Sequence, residues 1–219
     1  MHRPLARPIT YLITSGESCS ATDSSSEEFR RLLSSVRAAV EARVTLVQLR
    51  EKALTGRILF ELAAAAAHVA RGSGTRILVN DRADVARAAG CDGVHLTTNS
   101  LEASAVRQAF GEEFLIGVSA HAPAEARAAR DGGGDFAVFG PVFDTPSKRA
   151  YGAPAGLGAL EEAARELSPF PVVALGGVGE TNAADVLRAG AAGVAGIRLF
   201  ADGQNLARTV HLIEGLRPL

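Results

Sequence analysis

The chain has 219 residues, of which 47% are hydrophobic and 21% are charged, and this is typical of one compact domain with a sizeable core. Its 23 basic and 24 acidic residues give a formal net charge of -1, so no charge excess favours nucleic acid or an anionic membrane as a partner. The longest apolar tract, 62–70, contains His68 and is shorter than the ~20 residues of a membrane-spanning helix. We therefore predict a single soluble domain over residues 1–219 that binds neither nucleic acid nor membrane.

The cysteines and the first residues indicate the compartment. Cys19 and Cys91 are too few for a disulfide framework and lack the paired spacing of a zinc site. The basic residues near the start are not followed by an apolar run that ends at a small-residue cleavage site. These features predict a cytoplasmic protein with two free thiols.

Strand-like and helix-like segments alternate along the whole chain. Short β-branched or aliphatic runs predict eight strands, at 9–14, 44–49, 77–80, 93–96, 115–119, 136–140, 171–176 and 193–197. Alanine- and charge-rich stretches between them have helical periodicity, at 29–42, 57–71, 101–110, 124–130, 157–166, 182–189 and 205–216. Glycines at 90 and 190 stand where helix ends prefer them.

This alternation predicts the α/β class. Buried strands joined by helical crossovers pair in parallel, and eight such units close into a (β/α)8 TIM barrel. An open doubly wound sheet is the alternative, because local pattern does not determine closure. A polar, low-complexity segment at 15–26 follows the first strand and is expected to form a long loop on the functional face.

In a parallel barrel the active site is built from the loops that follow the strands, so polar residues at those points carry the functional signal. Gln48, Arg50 and Lys52 follow strand two with a spacing of two, which predicts one shared face directed into the mouth. An amide, a guanidinium and an ammonium group together can bind a phosphate or diphosphate. The alternative is a solvated strand end with an ion pair between Arg50 and Glu51.

Acidic residues follow strand three. Asp81, after Asn80, is a candidate ligand of Mg2+, which prefers carboxylate and water oxygens. Its alternative role is to cap the following helix, and for Asp84 we favour the capping role. One carboxylate alone is a weak metal signal.

Further candidates follow strands five to eight. The turn-rich segment 139–149, with hydroxyl groups and two cations, is typical of an anion-binding lid. Glycines 176 and 177, with Ile197 and Arg198 after strand eight, stand where barrels often bind phosphate through backbone N–H groups. Ser119 and His121 do not indicate a nucleophilic dyad, because no orienting acid accompanies them. His95 fits either a ligand contact or a packed core position.

Seven short segments, read together, resemble the thiamine phosphate synthase and thiazole tautomerase (TenI-like) superfamily over nearly the whole chain. They are YLIT (11–14), VQLREK (47–52), NDRAD (80–84), GVHL (93–96), GVSAH (117–121), GPVF (140–143) with TPSK (145–148), and ALGGV (174–178). Each segment is short, but their order and spacing make the set specific. The resemblance is closer to the synthase.

The resemblance implies a synthase that joins hydroxymethylpyrimidine diphosphate to a carboxylated thiazole phosphate, with release of diphosphate and CO2. It implies Mg2+ as cofactor and suggests a homodimer. By position, the resemblance implies that the diphosphate is bound by Gln48, Arg50, Lys52 and Asn80. It implies that Asp81 binds Mg2+ and that Ser119 and Lys148 contact the leaving group. It also implies that Thr145 and Ser147 line the thiazole ring, and that the thiazole phosphate lies near Gly177, Ile197 and Arg198. Among these, Arg50, Lys52, Ser119 and Lys148 are the catalytic candidates.

Two positions depart from the synthase pattern. Ser100 stands where synthases carry a second metal-binding aspartate, so metal affinity is expected to fall unless Asn99 or Glu102 substitutes. Arg198 replaces a small hydroxyl residue near the thiazole phosphate. Both departures favour the tautomerase branch, whereas Pro141 occupies the place of that branch's histidine. We favour the synthase, with the tautomerase and a non-catalytic ligand-binding relative as alternatives.

Overall fold

Eight parallel strands close into a barrel in this computed structural model, which describes residues 5–145 and 153–216. Neighbours in sequence are neighbours in the sheet, and the last strand pairs with the first, so the predicted (β/α)8 fold is confirmed. The strands are β1 (Ile9–Ile13), β2 (Leu46–Leu49), β3 (Arg76–Asn80), β4 (Gly93–Leu96), β5 (Leu115–Ala120), β6 (Phe136–Phe139), β7 (Val172–Leu175) and β8 (Gly193–Gly196).

A helix follows each strand in the part of the chain that the structure describes. The helices are α1 (Glu27–Glu41), α2 (Gly56–Ala70), α3 (Ala83–Ala88), α4 (Ala103–Phe110), α5 (Pro123–Asp131), α6 (Gly156–Leu167), α7 (Ala183–Arg188) and α8 (Leu206–Gly215), and a 3-10 turn, Arg198–Phe200, precedes α8. The short helix α3 was missing from the predicted helical stretches, although α7, which is equally six residues long, was predicted. Gly90 and Gly190 end α3 and α7 with φ of 72° and 89°, as predicted.

The core has two layers, because successive side chains along each strand point to opposite faces of the sheet. One face of each strand packs against the helices, while the other fills the barrel with residues such as Tyr11, Leu46, Leu78 and Phe136. In register, Ile13 pairs with Gln48, Asn80 with His95, and Ser119 with Val138. Gln48, Asn80, His95 and Ser119 therefore belong to the inward-facing set, near the carboxyl ends of their strands.

One glycine makes room for this interior layer. A Cβ atom at Gly117 would lie 2.4 Å from Cζ of Phe136 and 2.9 Å from Nδ1 of His95. No side chain fits at that distance, so a glycine in β5 allows the two rings to fill the barrel centre.

None of the described helices is long and apolar enough to cross a membrane.

Candidate active site at the mouth of the barrel

The loop from β1 to α1 lies at the carboxyl-terminal mouth, as predicted for the polar segment 15–26. It ends in a regular helix start, where Ser26 accepts a hydrogen bond from the backbone N–H of Phe29. Asp23 accepts bonds from the N–H and hydroxyl of Ser25, and these bonds lower the pKa of the Asp23 carboxyl. Local hydrogen bonds therefore order this loop despite its low-complexity composition.

Two amides meet across β2 and β3. Nε2 of Gln48 donates to Oδ1 of Asn80 over 3.0 Å, and both side chains are buried. Because each amide keeps further hydrogen-bonding capacity, the pair is oriented without being saturated. The structure thus brings together two of the residues that were predicted to bind substrate.

Arg50 and Lys52 lie beyond the end of β2 rather than in it. The strand ends at Leu49, so the predicted alternation over Gln48, Arg50 and Lys52 does not extend to Lys52, which is exposed in a turn. Arg50 is half-buried, and its backbone N–H donates to Oγ1 of Thr14 over 2.8 Å. The predicted alternative of an Arg50–Glu51 ion pair is wrong, because the Glu51 carboxylate bonds to the β1–α1 loop instead.

Asp81, the residue directly after β3, has an unusual backbone conformation. Its φ is 65°, a left-handed value that is uncommon outside glycine and is tolerated by Asp and Asn. The carboxyl is exposed beside a cavity of about 430 Å³ whose lining includes Ser100 and Phe110. Asp81 is therefore accessible to a ligand at the rim.

The other acidic candidate is engaged elsewhere. Asp84 lies in the first turn of α3 and not at its N-cap, which is Arg82, so the predicted capping role is wrong. The Arg82 guanidinium binds both carboxylate oxygens over 2.8 and 2.6 Å, and this bond lowers the pKa of Asp84. Among residues 5–145 and 153–216, no group of three His, Cys, Asp or Glu side chains is arranged to hold a metal ion.

Ser119 has a histidine partner that the sequence did not identify. Nε2 of His95 and Oγ of Ser119 are 2.9 Å apart, joining β4 to β5. His121 instead contacts Glu125 through its ring and its backbone N–H, both at the surface. His121 therefore has an acidic partner in Glu125, contrary to the expectation that no orienting acid accompanies it, but Ser119 bonds to His95. Side-chain alternation along β4 and β5 places positions 95 and 119 on the inward face, and this alternation could have predicted the His95–Ser119 pair.

His95 is enclosed by aromatic rings and is neutral at ordinary pH. Burial, and secondarily the charge of Arg50, lower its pKa to about 4. Tyr11 makes an edge contact with its ring at 5.9 Å between centroids, and Nδ1 is buried with no hydrogen-bond partner among the described residues. A buried N–H without an acceptor costs more than a bare lone pair, so we assign the proton to Nε2.

This tautomer determines what Ser119 can do. If Nε2–H donates to Oγ of Ser119, the serine hydroxyl keeps its own hydrogen for donation elsewhere. Ser119 is half-buried at the mouth end of β5, so that hydrogen can reach a bound anion. The pair therefore supplies one oriented hydrogen-bond donor and not a nucleophile.

The opposite wall of the mouth comes from β6, β7 and β8. Gly177 has φ of 67°, and a Cβ atom there would lie 2.6 Å from Cβ of Phe143, so this position requires glycine. Nη2 of Arg198 is 3.3 Å from Oγ1 of Thr145, which is buried. The guanidinium thus joins the two predicted binding loops. Ser147 and Lys148, the other predicted residues of this wall, lie outside the described residues.

The fold is a (β/α)8 barrel whose mouth carries the polar pairs Gln48–Asn80, His95–Ser119 and Thr145–Arg198. The family model described as thiamine monophosphate synthase (TMP-TENI) matches residues 11–200. The chain therefore belongs to the thiamine monophosphate synthase family, in agreement with the predicted resemblance.

Known proteins support the same assignment over most of the chain. A protein of Geobacter sulfurreducens is 46% identical over 190 residues, which cover 86% of this chain and 89% of that one. The thiamine-phosphate synthase of Moorella thermoacetica is 42% identical over 185 residues, covering 84% and 88%. The solved thiamine phosphate pyrophosphorylase of Pyrococcus furiosus superposes with a TM-score of 0.78 at 27% identity, covering 95% and 94%.

Proposed function

We propose that the chain is a Mg2+-dependent thiamine-phosphate synthase that joins hydroxymethylpyrimidine diphosphate to a carboxylated thiazole phosphate. The observation that carries the proposal is that Gln48, Asn80 and Ser119 all face inward near the carboxyl ends of their strands, with Arg50 directly after β2. Amide, hydroxyl and guanidinium donors in one partly enclosed place suit a diphosphate. The family membership and the names of its relatives point the same way.

The diphosphate half of the site is assigned to the β2, β3 and β5 side. Gln48, Arg50, Lys52 and Asn80 bind the diphosphate, and Ser119 donates its hydroxyl hydrogen to the leaving group. His95 keeps that hydrogen available because its own Nε2–H is directed to Oγ of Ser119. Lys148, which lies outside the described residues, is a further proposed contact of the leaving group.

The thiazole half is assigned to the β6, β7 and β8 side. Thr145 and Ser147 line the ring, and the phosphate lies near Gly177 and Ile197. Arg198 adds a cation there, and its bond to Thr145 gives the guanidinium a defined direction. The two substrates then meet over the barrel axis, each held by its own wall.

The residues at the end of β3 suit a metal ion that arrives with the substrate. Mg2+ commonly takes one or two protein carboxylates and completes its shell with water and substrate phosphate oxygens. Asp81 offers one accessible carboxylate, whereas Asp84 is bound to Arg82 and Oγ of Ser100 accepts the N–H of Thr97 over 2.8 Å. We therefore assign Asp81 as the protein ligand. When bound, the ion would neutralise charge that develops on the diphosphate.

The chemistry needs donors and no protein nucleophile. The bond between the pyrimidine methylene carbon and the diphosphate oxygen breaks, and the electron pair leaves with the diphosphate. The thiazole nitrogen then bonds to the methylene carbon. The thiazole carboxylate departs as CO2, the electron pair of the broken C–C bond stays on the thiazole carbon, and that carbon takes up a proton from water. Arg50, Lys52 and Ser119 stabilise the charge that builds on the leaving oxygens, which is where fixed donors lower a barrier most.

One assay separates the synthase from its alternatives. Purified protein is incubated with hydroxymethylpyrimidine diphosphate, carboxylated thiazole phosphate and Mg2+, and thiamine phosphate is followed by chromatography. The proposal predicts metal-dependent product. Isomerised thiazole phosphate without thiamine phosphate would assign the tautomerase activity, and binding without either product would assign the non-catalytic role.

A further inference from the structure

Glu51 is a buried carboxylate next to two cations, yet it bonds to neither within the described part of the chain. It is 3% exposed. Its Oε1 accepts the N–H of Gly16 over 3.1 Å, and its Oε2 accepts the N–H and the hydroxyl of Ser18 over 3.3 and 2.6 Å. A buried charge is stable only when hydrogen bonds satisfy it, so these three bonds hold the carboxylate and the loop together.

The segment that Glu51 binds, residues 15–18, lies directly on Arg50. A Cβ atom at Gly16 would be 3.1 Å from the carbonyl oxygen and 3.3 Å from Nη1 of Arg50. Gly16 also has φ of 76°, so glycine suits both the backbone conformation and the close contact. Thr14, just before this segment, accepts the N–H of Arg50. The Arg50 backbone and guanidinium are therefore both bounded by this stretch of chain.

The same segment forms a wall of a second space. Ser15, Glu17 and Ser18 line a cavity of about 250 Å³ that also touches Ile197 and Phe200. Residues 15, 17 and 18 thus face a cavity that reaches the end of β8, while Gly16 of the same segment lies against Arg50. If the segment moved away from β2, the guanidinium would gain room to turn toward that cavity.

We propose that Glu51 is a positioning residue: it anchors residues 15–18 across the end of β2, and so confines the Arg50 guanidinium to the direction in which it binds diphosphate. The proposal rests on the proposed function, in which Arg50 binds the diphosphate. Glu51 itself touches no substrate. Its effect is on the orientation of Arg50 and therefore on affinity for the diphosphate group.

The test measures binding of inorganic diphosphate, in the presence of Mg2+, to the whole protein by titration calorimetry. In Glu51→Gln an amide N–H2 replaces one acceptor oxygen and meets the donors of the segment, so the anchor fails. We expect the Kd for diphosphate to rise about tenfold, the scale of one lost charge-assisted bond. In the synthase assay, KM for the pyrimidine diphosphate should rise by the same factor, with KM for the thiazole phosphate within twofold of the parent.

Two further variants separate positioning from general stability. Ser18→Ala removes only the 2.6 Å bond and should raise the Kd about threefold, and adding it to Glu51→Gln should weaken binding no further, because both act through one contact. Asp92→Asn is the matched control, since Asp92 also accepts a backbone N–H, from Ile77 over 2.8 Å, but at the opposite end of the barrel. It should lower Tm and leave the Kd unchanged.

The outcomes are distinct. A parental Kd in Glu51→Gln, or an equal loss of affinity in Asp92→Asn at equal loss of Tm, would overturn the positioning role. If Glu51→Gln does not fold, a parental Kd in Ser18→Ala overturns it instead. Because binding of diphosphate is measured apart from turnover, a parent protein that binds diphosphate without making thiamine phosphate would contradict the proposed function alone.

Discussion

Polar side chains at the two ends of the barrel differ in their hydrogen-bonding partners. At the amino-terminal end, Oγ1 of Thr10 accepts the N–H of Thr45, and Asp92 accepts the N–H of Ile77. There Asp135 accepts both the N–H of Ile116 and the guanidinium of Arg107. At the mouth, Oγ of Ser119 has one side-chain partner, His95, and the Gln48–Asn80 pair keeps spare donors.

This difference separates stability from binding. Polar groups at the amino-terminal end bind the backbone that they neighbour, so their contribution is to hold strands in register. At the mouth, Gln48, Asn80 and Ser119 each have one side-chain contact and keep further hydrogen-bonding capacity, so their contribution is to a ligand. Substitutions at the two ends should therefore change different measured quantities.

The largest effect is expected on catalysis, at the mouth. Arg50→Ala removes a cation from the proposed leaving-group site, and kcat/KM should fall about 100- to 1000-fold, as for loss of one fixed donor in other enzymes. Tm should stay close to the parent because Arg50 is half-buried. The control Arg57→Ala removes a side chain that is 86% exposed on α2, and activity should be retained. Equal activity in both variants would contradict the assignment.

The next effect is a pH dependence that comes from His95. Its pKa is lowered to about 4, so between the usual value near 6.5 and about 4 the unfolded chain takes up a proton that the native protein does not. Above pH 6.5 this difference does not reduce the free energy of unfolding. As the pH falls from 6.5 through 4, the free energy of unfolding decreases by about 3 kcal/mol. Chemical unfolding of the parent and of His95→Gln at several pH values measures it. The parent curve should be steeper, and parallel curves would count against a neutral buried His95.

A smaller effect is expected on stability at the amino-terminal end. Asp135→Ala removes the acceptor of the Ile116 N–H and of Arg107, while Arg107 keeps its bonds to backbone carbonyl oxygens. The free energy of unfolding should fall by about 2 kcal/mol, the scale of a hydrogen bond to a charged group. Denaturant unfolding measures the loss, and both KM values should match the parent. A change in KM without a change in stability would break the distinction between the two ends.

The smallest effect is a gain, at the rim beside Asp81. Ser100→Asp supplies a carboxylate where the chain has a hydroxyl, and an aspartate can still accept the N–H of Thr97. Mg2+ should bind about tenfold more tightly in the presence of diphosphate. Gln108→Asp, which adds the same charge at an exposed position of α4, is the matched control. A parental Mg2+ dissociation constant in Ser100→Asp, or the same gain in both variants, would show that position 100 has no special relation to the metal.

The sequence by itself determined the fold class and the general place of the site. Strict alternation of apolar strands and helices requires parallel pairing, and the loops after the strands then build one mouth, so Gln48, Asn80 and Ser119 could be expected there. The motif order was enough to indicate the family that the comparisons confirmed. The roles of the individual site residues remain predictions.

Only the tertiary structure decided which polar groups meet. Ser119 pairs with His95 rather than with its sequence neighbour His121, because adjacent strands place their inward positions side by side. Glu51 binds the loop after β1 instead of Arg50. Local pattern ranks partners by distance along the chain, whereas parallel pairing of neighbouring strands brings residues 24 to 33 positions apart within hydrogen-bonding distance, and that pairing is what assembled these contacts.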